Sequence, residues 1–151
     1  MANNYAQFSE NVFFDLTPEE IAWLNKMGRL DKEDEDDIKI LDEIFMGRDE
    51  EMSVPGCDWK ITDENSLWCY SEEYYSEINT ALFLQTFIKT FRPDAIVSIT
   101  SASYCARLRA NEFGGVWIVV SANEIRTGST WSMIETIVEE LQKKQEEGVK
   151  Q

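Results

Sequence analysis

The chain has 151 residues, 43% of them hydrophobic and 12% aromatic, with 29 acidic against 14 basic side chains and a net charge of −15. That length suits one domain with a real core, and the apolar content excludes intrinsic disorder despite the charge. The charge disfavours direct binding to nucleic acid or anionic membrane. The absence of histidine removes the commonest general base and metal ligand and points away from an enzyme.

The acidity is segregated. Residues 1–64 hold 18 Asp and Glu against 6 Lys and Arg, whereas residues 65–151 hold 11 against 8. From the N-terminus, Met1 to Glu10 has no basic and apolar leader pattern, and residues 1–16 lack a clear period, which predicts an extended arm pinned by Phe8, Phe13 and Phe14. The first helix is signposted by Thr17 as N-cap, Pro18 at the first helical position and Glu20 completing a capping box. Leu16 and Ile21 have the spacing of a hydrophobic staple, and Gly28 is the expected stop. A second helix is expected over Glu33 to Met46, with Ile38, Leu41 and Phe45 on one stripe and Gly47 ending it. Its first turn carries Glu33, Asp34, Glu35, Asp36 and Asp37, favourably placed on the helix dipole.

Arg48 to Gly56 reads as a linker closed by Pro55-Gly56. Strands are expected at Asp58–Thr62 and Leu67–Tyr70 around a polar turn, then a long apolar helix from Tyr75 to Phe91 stopped by Pro93. That helix is apolar over much of its girth, so packing between a sheet and the N-terminal hairpin is expected. Ala95–Thr100 and Val116–Ser121 are β-branched strands, the second without polar alternation and so expected to be covered on both faces. A last helix over Thr130 to Gln145 has Trp131, Ile134, Val138 and Leu141 on one stripe beside Ile137. The fold class that follows is α+β. An acidic helical hairpin (residues 1–56) packs on a mainly antiparallel four-stranded sheet with two helices (57–151, ββαββα), the whole making one compact unit.

The three cysteines, Cys57, Cys69 and Cys105, fit no metal spacing and leave an odd thiol under any pairing, which favours a reducing cytoplasm. No metal site or cofactor is expected. The acids from Asp31 fail the EF-hand pattern, because the sixth residue is Asp36 rather than Gly and the twelfth is Asp42 rather than Glu. A phosphatase-type Cys-x5-Arg loop fails too, since position 111 is Asn111. The run Val116–Val120 is too short to span a bilayer, so no membrane role is expected.

Two sets of candidate site residues remain. Asp34, Asp36, Asp37, Asp42, Asp49, Glu50 and Glu51 form a candidate anionic face, able to imitate a phosphate row before the Lys and Arg of a nucleic-acid-binding groove. Cys105, Arg107 and Arg109 in the loop 101–115, with Trp68 and Tyr70, form a candidate anion or ligand site. The favoured expectation is a non-catalytic acidic protein that inhibits a basic, nucleic-acid-handling partner, as a DNA mimic or an immunity protein does. The alternatives are an anionic-ligand-binding or enzymatic domain using the loop 101–115, and a self-associating scaffold.

Residues 67–125 resemble a pattern in uncharacterised small bacterial and phage proteins. The matching pieces are Trp68-Cys69-Tyr70-Ser71-Glu72-Glu73, the Phe-rich helix to Phe91-Arg92-Pro93-Asp94, and Cys105, Arg109 and Glu112-Phe113-Gly114-Gly115. The resemblance implies a phage or mobile-element setting and no particular activity. Where several members carry a Trp and a Lys-Pro near the Cys, this chain has Ser101-Ala102-Ser103-Tyr104 and Ala106.

Overall fold

Asn4 to Phe13 is a β-strand (β1), not an arm, and it lies in the middle of a six-stranded antiparallel sheet. The computed structural model describes residues 4–46, 56–105, 107 and 113–149. Among them the order of elements is β1, α1 (Pro18–Met27), α2 (Glu35–Phe45), β2 (Asp58–Ile61), β3 (Leu67–Ser71), α3 (Glu77–Phe91), β4 (Val97–Cys105), β5 (Gly114–Val120), β6 (Ile125–Ser129) and α4 (Thr130–Val149). The strands run β2-β3-β1-β4-β5-β6 across the sheet. The expected four-stranded ββαββα arrangement is therefore corrected to an α+β fold of four helices on six strands. Segments 1–56 and 57–151 share one sheet, because β1 pairs with β3 on one side and β4 on the other.

The registers sort the side chains into two faces. Ala6 and Phe8 of β1, Leu67 and Cys69 of β3, Ile99 of β4, and Ile118 and Val120 of β5 point into the core. Their neighbours Gln7, Ser9, Asn11, Ser98, Thr100 and Ala102 are exposed, so the second face meets solvent. Of the three aromatics expected to pin an arm, Phe8 and Phe13 are buried, but Phe14 is 57% exposed.

The helices α1 to α3 cover the first face. Every part of the N-terminal signature of α1 is present: the Thr17 hydroxyl accepts from Glu20 N at 3.2 Å, and Glu20 Oε1 accepts from Thr17 N at 2.9 Å. Leu24 and Met27 of α1 are buried, and Trp23 packs against Phe83, Phe87 and Phe91 of α3. With Ala81, Leu82, Phe83, Leu84, Phe87 and Ile88 buried, α3 lies between α2 on one side and β5 on the other.

One polar staple ties this layer together. The Arg92 guanidinium, at the C-terminal end of α3, donates to Glu20 Oε2 (2.8 Å), Glu20 Oε1 (3.1 Å) and the Phe14 carbonyl (2.8 Å). It also lies 5.5 Å from the Phe13 ring centre and 5.9 Å from that of Phe87. The hydrogen bond from Arg92 holds the Glu20 carboxyl below the usual carboxylate range, outweighing the opposing effect of burial.

One expectation for the second half needs correction. The strand β5 is not sealed on both faces: Ile118 and Val120 are buried, but Val116, Trp117 and Val119 are half-buried. Trp117 instead lies over Gly128 of β6, directly across the ladder, where an added Cβ would collide with the ring. The stripe on α4 faces solvent, with Trp131, Ile134, Val138 and Leu141 each 37–54% exposed. No helix among the described residues is long and apolar enough to cross a membrane.

Candidate functional site

The acids of the first third begin by building their own helix. Asp34 is the N-cap of α2, accepting from Asp36 N (2.9 Å) and Asp37 N (3.2 Å). Asp31 Oδ1 accepts from Glu33 N at 2.9 Å, and Asp31 N donates to Asp37 Oδ2 at 2.9 Å. Free backbone amides at a helix start need such acceptors, and the positive end of the helix dipole favours anions there. At the other end Met46 takes the left-handed conformation (φ 56°), its N–H donating to Asp42 O. Gly47, expected to end the helix, lies outside the described residues.

The packing of α2 decides where its carboxylates point. Ile44 and Phe45 are buried, and Ile38, Ile40 and Leu41 are half-buried. This leaves Glu35, Asp36, Lys39, Asp42 and Glu43 exposed, while Asp37 is half-buried. Asp36 and Asp42 are thus exposed, joined by Glu35 and Glu43, which were not among the expected site residues, whereas the Asp34 carboxylate is turned onto the start of the helix. The signal for Glu43 lay in the period, since it falls opposite Ile38, Leu41 and Phe45, while Glu35 lies at the flank of that stripe. Asp49, Glu50 and Glu51 lie outside the described residues. Helix α2, of eleven residues, spans about 16 Å. Its exposed Glu35, Asp36, Asp42 and Glu43, less Lys39 among them, leave one net negative charge per about 5 Å of axis, sparser than the about 3.4 Å per phosphate along one strand of a duplex.

Between α1 and α2 a cavity of about 460 Å³ is lined by Lys26, Arg29 and Asp37 together with Ala22, Asn25 and Leu30. These two cations therefore sit between the helices, off the outward side of α2.

The second set of expected residues does not form one site. Trp68 and Tyr70 stack with ring centres 4.1 Å apart on the solvent face, and Trp68 Nε1 donates to Ser9 Oγ at 2.8 Å. Cys105 is buried at the far end of β4, opposite Asn4 and on the core side of the sheet. Along β1 the partners of Trp68 and Cys105, Asn11 and Asn4, are seven residues apart, or about 24 Å. Arg107 is exposed, and Arg109 lies outside the described residues.

All three cysteines are free and buried. The neighbouring Cys69 thiol lowers Cys57, and the influence of Cys57 together with burial drives Cys69 well above the ordinary thiol range. Among the described residues no three His, Cys, Asp or Glu side chains are grouped to hold a metal ion. A second stacked pair, Tyr5 and Tyr104 with ring centres 5.2 Å apart, joins Trp68 and Tyr70 in making the solvent face aromatic. Near it Trp131, Tyr74, Asn4 and Ser103 line an open cavity of about 400 Å³.

No family model, curated protein or solved structure matches the chain.

Proposed function

We propose that the chain is a non-catalytic interaction protein whose acidic α2 face docks into the basic groove of a nucleic-acid-handling protein and blocks it. The observation that carries this reading is the exposed set Glu35, Asp36, Asp42 and Glu43, which outnumbers its one exposed cation, Lys39, on a helix capped by Asp34. Groove-lining Lys and Arg neutralise carboxylate as they neutralise phosphate. A phage factor acting against a host defence, or an immunity protein against a toxin nuclease, would each use such a face.

The partner is a basic protein, and the long-range field of a chain at −15 speeds its encounter at low salt. The test is association kinetics with the partner recovered from the native host. Asp36→Asn/Asp42→Asn/Glu43→Gln leaves the Asp34 cap and the Asp31–Asp37 turn intact. It should slow association by about tenfold at low ionic strength and by much less at high salt, where charges are screened. An unchanged rate at low salt refutes the reading.

A further inference from the structure

The twenty residues of α4 make a helix about 30 Å long, fastened to the body only near its start. Thr130 Oγ1 accepts from Gly115 N at 2.9 Å and donates to Gly115 O. Trp131 packs against Gly114, so close that a Cβ there would stand 2.7 Å from the ring. From that point on every described side chain of α4 is exposed. Helices in proteins draw most of their stability from packing an amphipathic face. Yet Ile134, Ile137, Val138 and Leu141 are 45–54% exposed, with Met133 at 53% and Trp131 at 37% beside them. Half of six large apolar side chains amounts to on the order of 500 Å² of apolar surface, within the range of the largest patch on a monomer, which is often a functional one.

The spacing of this patch names a mode of contact. Positions 134, 137, 138 and 141 are i, i+3, i+4 and i+7, the anchors of an amphipathic helix laid into an apolar groove. The charges beside it name the occupant. On a helical projection, Glu135, Glu139 and Glu146 fall along one border of the stripe, and α4 holds five Glu against two Lys, Lys143 and Lys144. Two antiparallel copies of α4 would set those acidic borders against each other, and two parallel copies would bring together bodies that each carry −15, so self-pairing is electrostatically opposed.

We infer that α4 is a second docking element, a helix whose Ile134-Ile137-Val138-Leu141 edge inserts into an apolar groove rimmed by Lys and Arg on a partner protein. This deepens the proposed function and rests on it. The α2 face supplies fast, salt-sensitive encounter, and the α4 stripe supplies the desolvated contact that slows release.

The test uses the full chain and a defined probe, a helical peptide of Leu and Lys with an apolar face and a basic border, read by backbone amide shifts. Two controls accompany it: a Leu/Glu peptide of the same apolar pattern, and Ile134→Asp/Val138→Asp, whose exposed sites leave the core untouched, as circular dichroism will verify. The expected result is saturable shifts centred on residues 131–141, at least tenfold weaker binding in Ile134→Asp/Val138→Asp, and weaker binding of the Leu/Glu peptide. Shifts confined to α2 overturn this inference while leaving the proposed function standing. Equal binding by the Asp variant, equal binding of the Leu/Glu peptide, or no binding at all also overturns it. So does a dimer of the free chain in sedimentation that the Asp substitutions abolish, which would make a second copy the occupant.

Discussion

Replacing Arg92 by Met removes the charge of the staple while keeping an apolar stem beside Phe13 and Phe87. Glu20, only 4% exposed at its side chain, then keeps the Thr17 amide as a donor but loses both guanidinium bonds at 2.8 and 3.1 Å. Removing one partner of a buried pair costs about 3–5 kcal/mol. Arg92 is itself 28% exposed, so water reaches the pair and about 2–3 kcal/mol is the better expectation. At about 2–4 °C per kcal/mol for a chain of this size, the midpoint should fall by about 5–10 °C.

The pH dependence gives the sharper signature. In the parent chain the Glu20 carboxyl is held below its ordinary value, so its stabilising contribution is present above the unfolded value of about 4.3 and disappears as pH falls through the lowered folded value. In Arg92→Met the guanidinium no longer lowers the carboxyl, and burial is opposed only by the Thr17 hydrogen bonds, so Glu20 takes up a proton at higher pH than in the parent. The penalty is then full at neutral pH and shrinks as Glu20 takes up a proton. Urea denaturation at pH 7 and pH 4 should show the gap between parent and variant closing at the lower pH, and Glu20→Gln added to Arg92→Met should recover part of the loss at pH 7. A gap below about 1 kcal/mol, the range of exposed pairs, or one independent of pH, refutes the description of the staple.

Three further outcomes are expected. Gly56 has φ 98°, and an added Cβ would stand 2.9 Å from Asn79 Cβ and 3.0 Å from Thr80 N. Gly56→Ala should therefore cost about 1–3 kcal/mol by denaturant titration, whereas Gly148→Ala, at a site with nothing within 4 Å, should cost nothing measurable. Tyr75 donates to Ser101 Oγ at 2.9 Å, and burial pushes its phenol up to about 12. Because the folded value is raised, the associated stability is present below about pH 10 and lost as pH climbs toward 12; one tyrosine should ionise late in an ultraviolet titration, and Tyr75→Phe should remove it. Since Cys57, Cys69 and Cys105 are all buried, a thiol-specific disulfide reagent should modify them far more slowly in the native chain than in denaturant; native labelling at the denatured rate would contradict the packing.

The parts of the fold that were legible are those with local, self-contained signals. The Thr17-Pro18-Glu20 start of α1 and the Asp63–Ser66 turn between β2 and β3 follow from backbone groups and their nearest acceptors. The apolar girth of α3 likewise announces a helix packed on two sides. What escaped depends on partners distant in sequence. Asn4–Phe13 is exposed and polar at Gln7, Ser9 and Asn11 because the sheet has one wet face, and such a strand carries no period strong enough to separate it from an arm. Ile125–Ser129 is a short edge strand with Gly128 inside it, and glycine there normally argues against a strand. It is tolerated because Trp117 fills the vacant space. The α4 stripe was legible as a period, but a period does not say whether the body of the same chain covers it.

The candidate site was read in the same uneven way. The outward direction of Asp36 follows from the Ile38-Leu41-Phe45 stripe, and the same rule includes Glu43, whereas Glu35 and Asp42 lie at its flanks and are exposed because no described residue packs there. By contrast, the spacing of residues groups Trp68 and Tyr70 with Cys105, although strand parity and register place Cys105 on the opposite face and far away. Those facts exist only once β1 is seen between β3 and β4.

The most direct test of the α2 face is competition with a duplex. The chain is immobilised, a basic nucleic-acid-binding partner is captured from the native host at low salt, and duplex DNA is added in the mobile phase. Mutually exclusive binding is expected, with duplex releasing the partner from the parent chain and the Asp36→Asn/Asp42→Asn/Glu43→Gln bait retaining much less of it from the start. A partner that stays bound under saturating duplex, or is held equally by the neutralised bait, contradicts the proposal that α2 stands in for a phosphate strand.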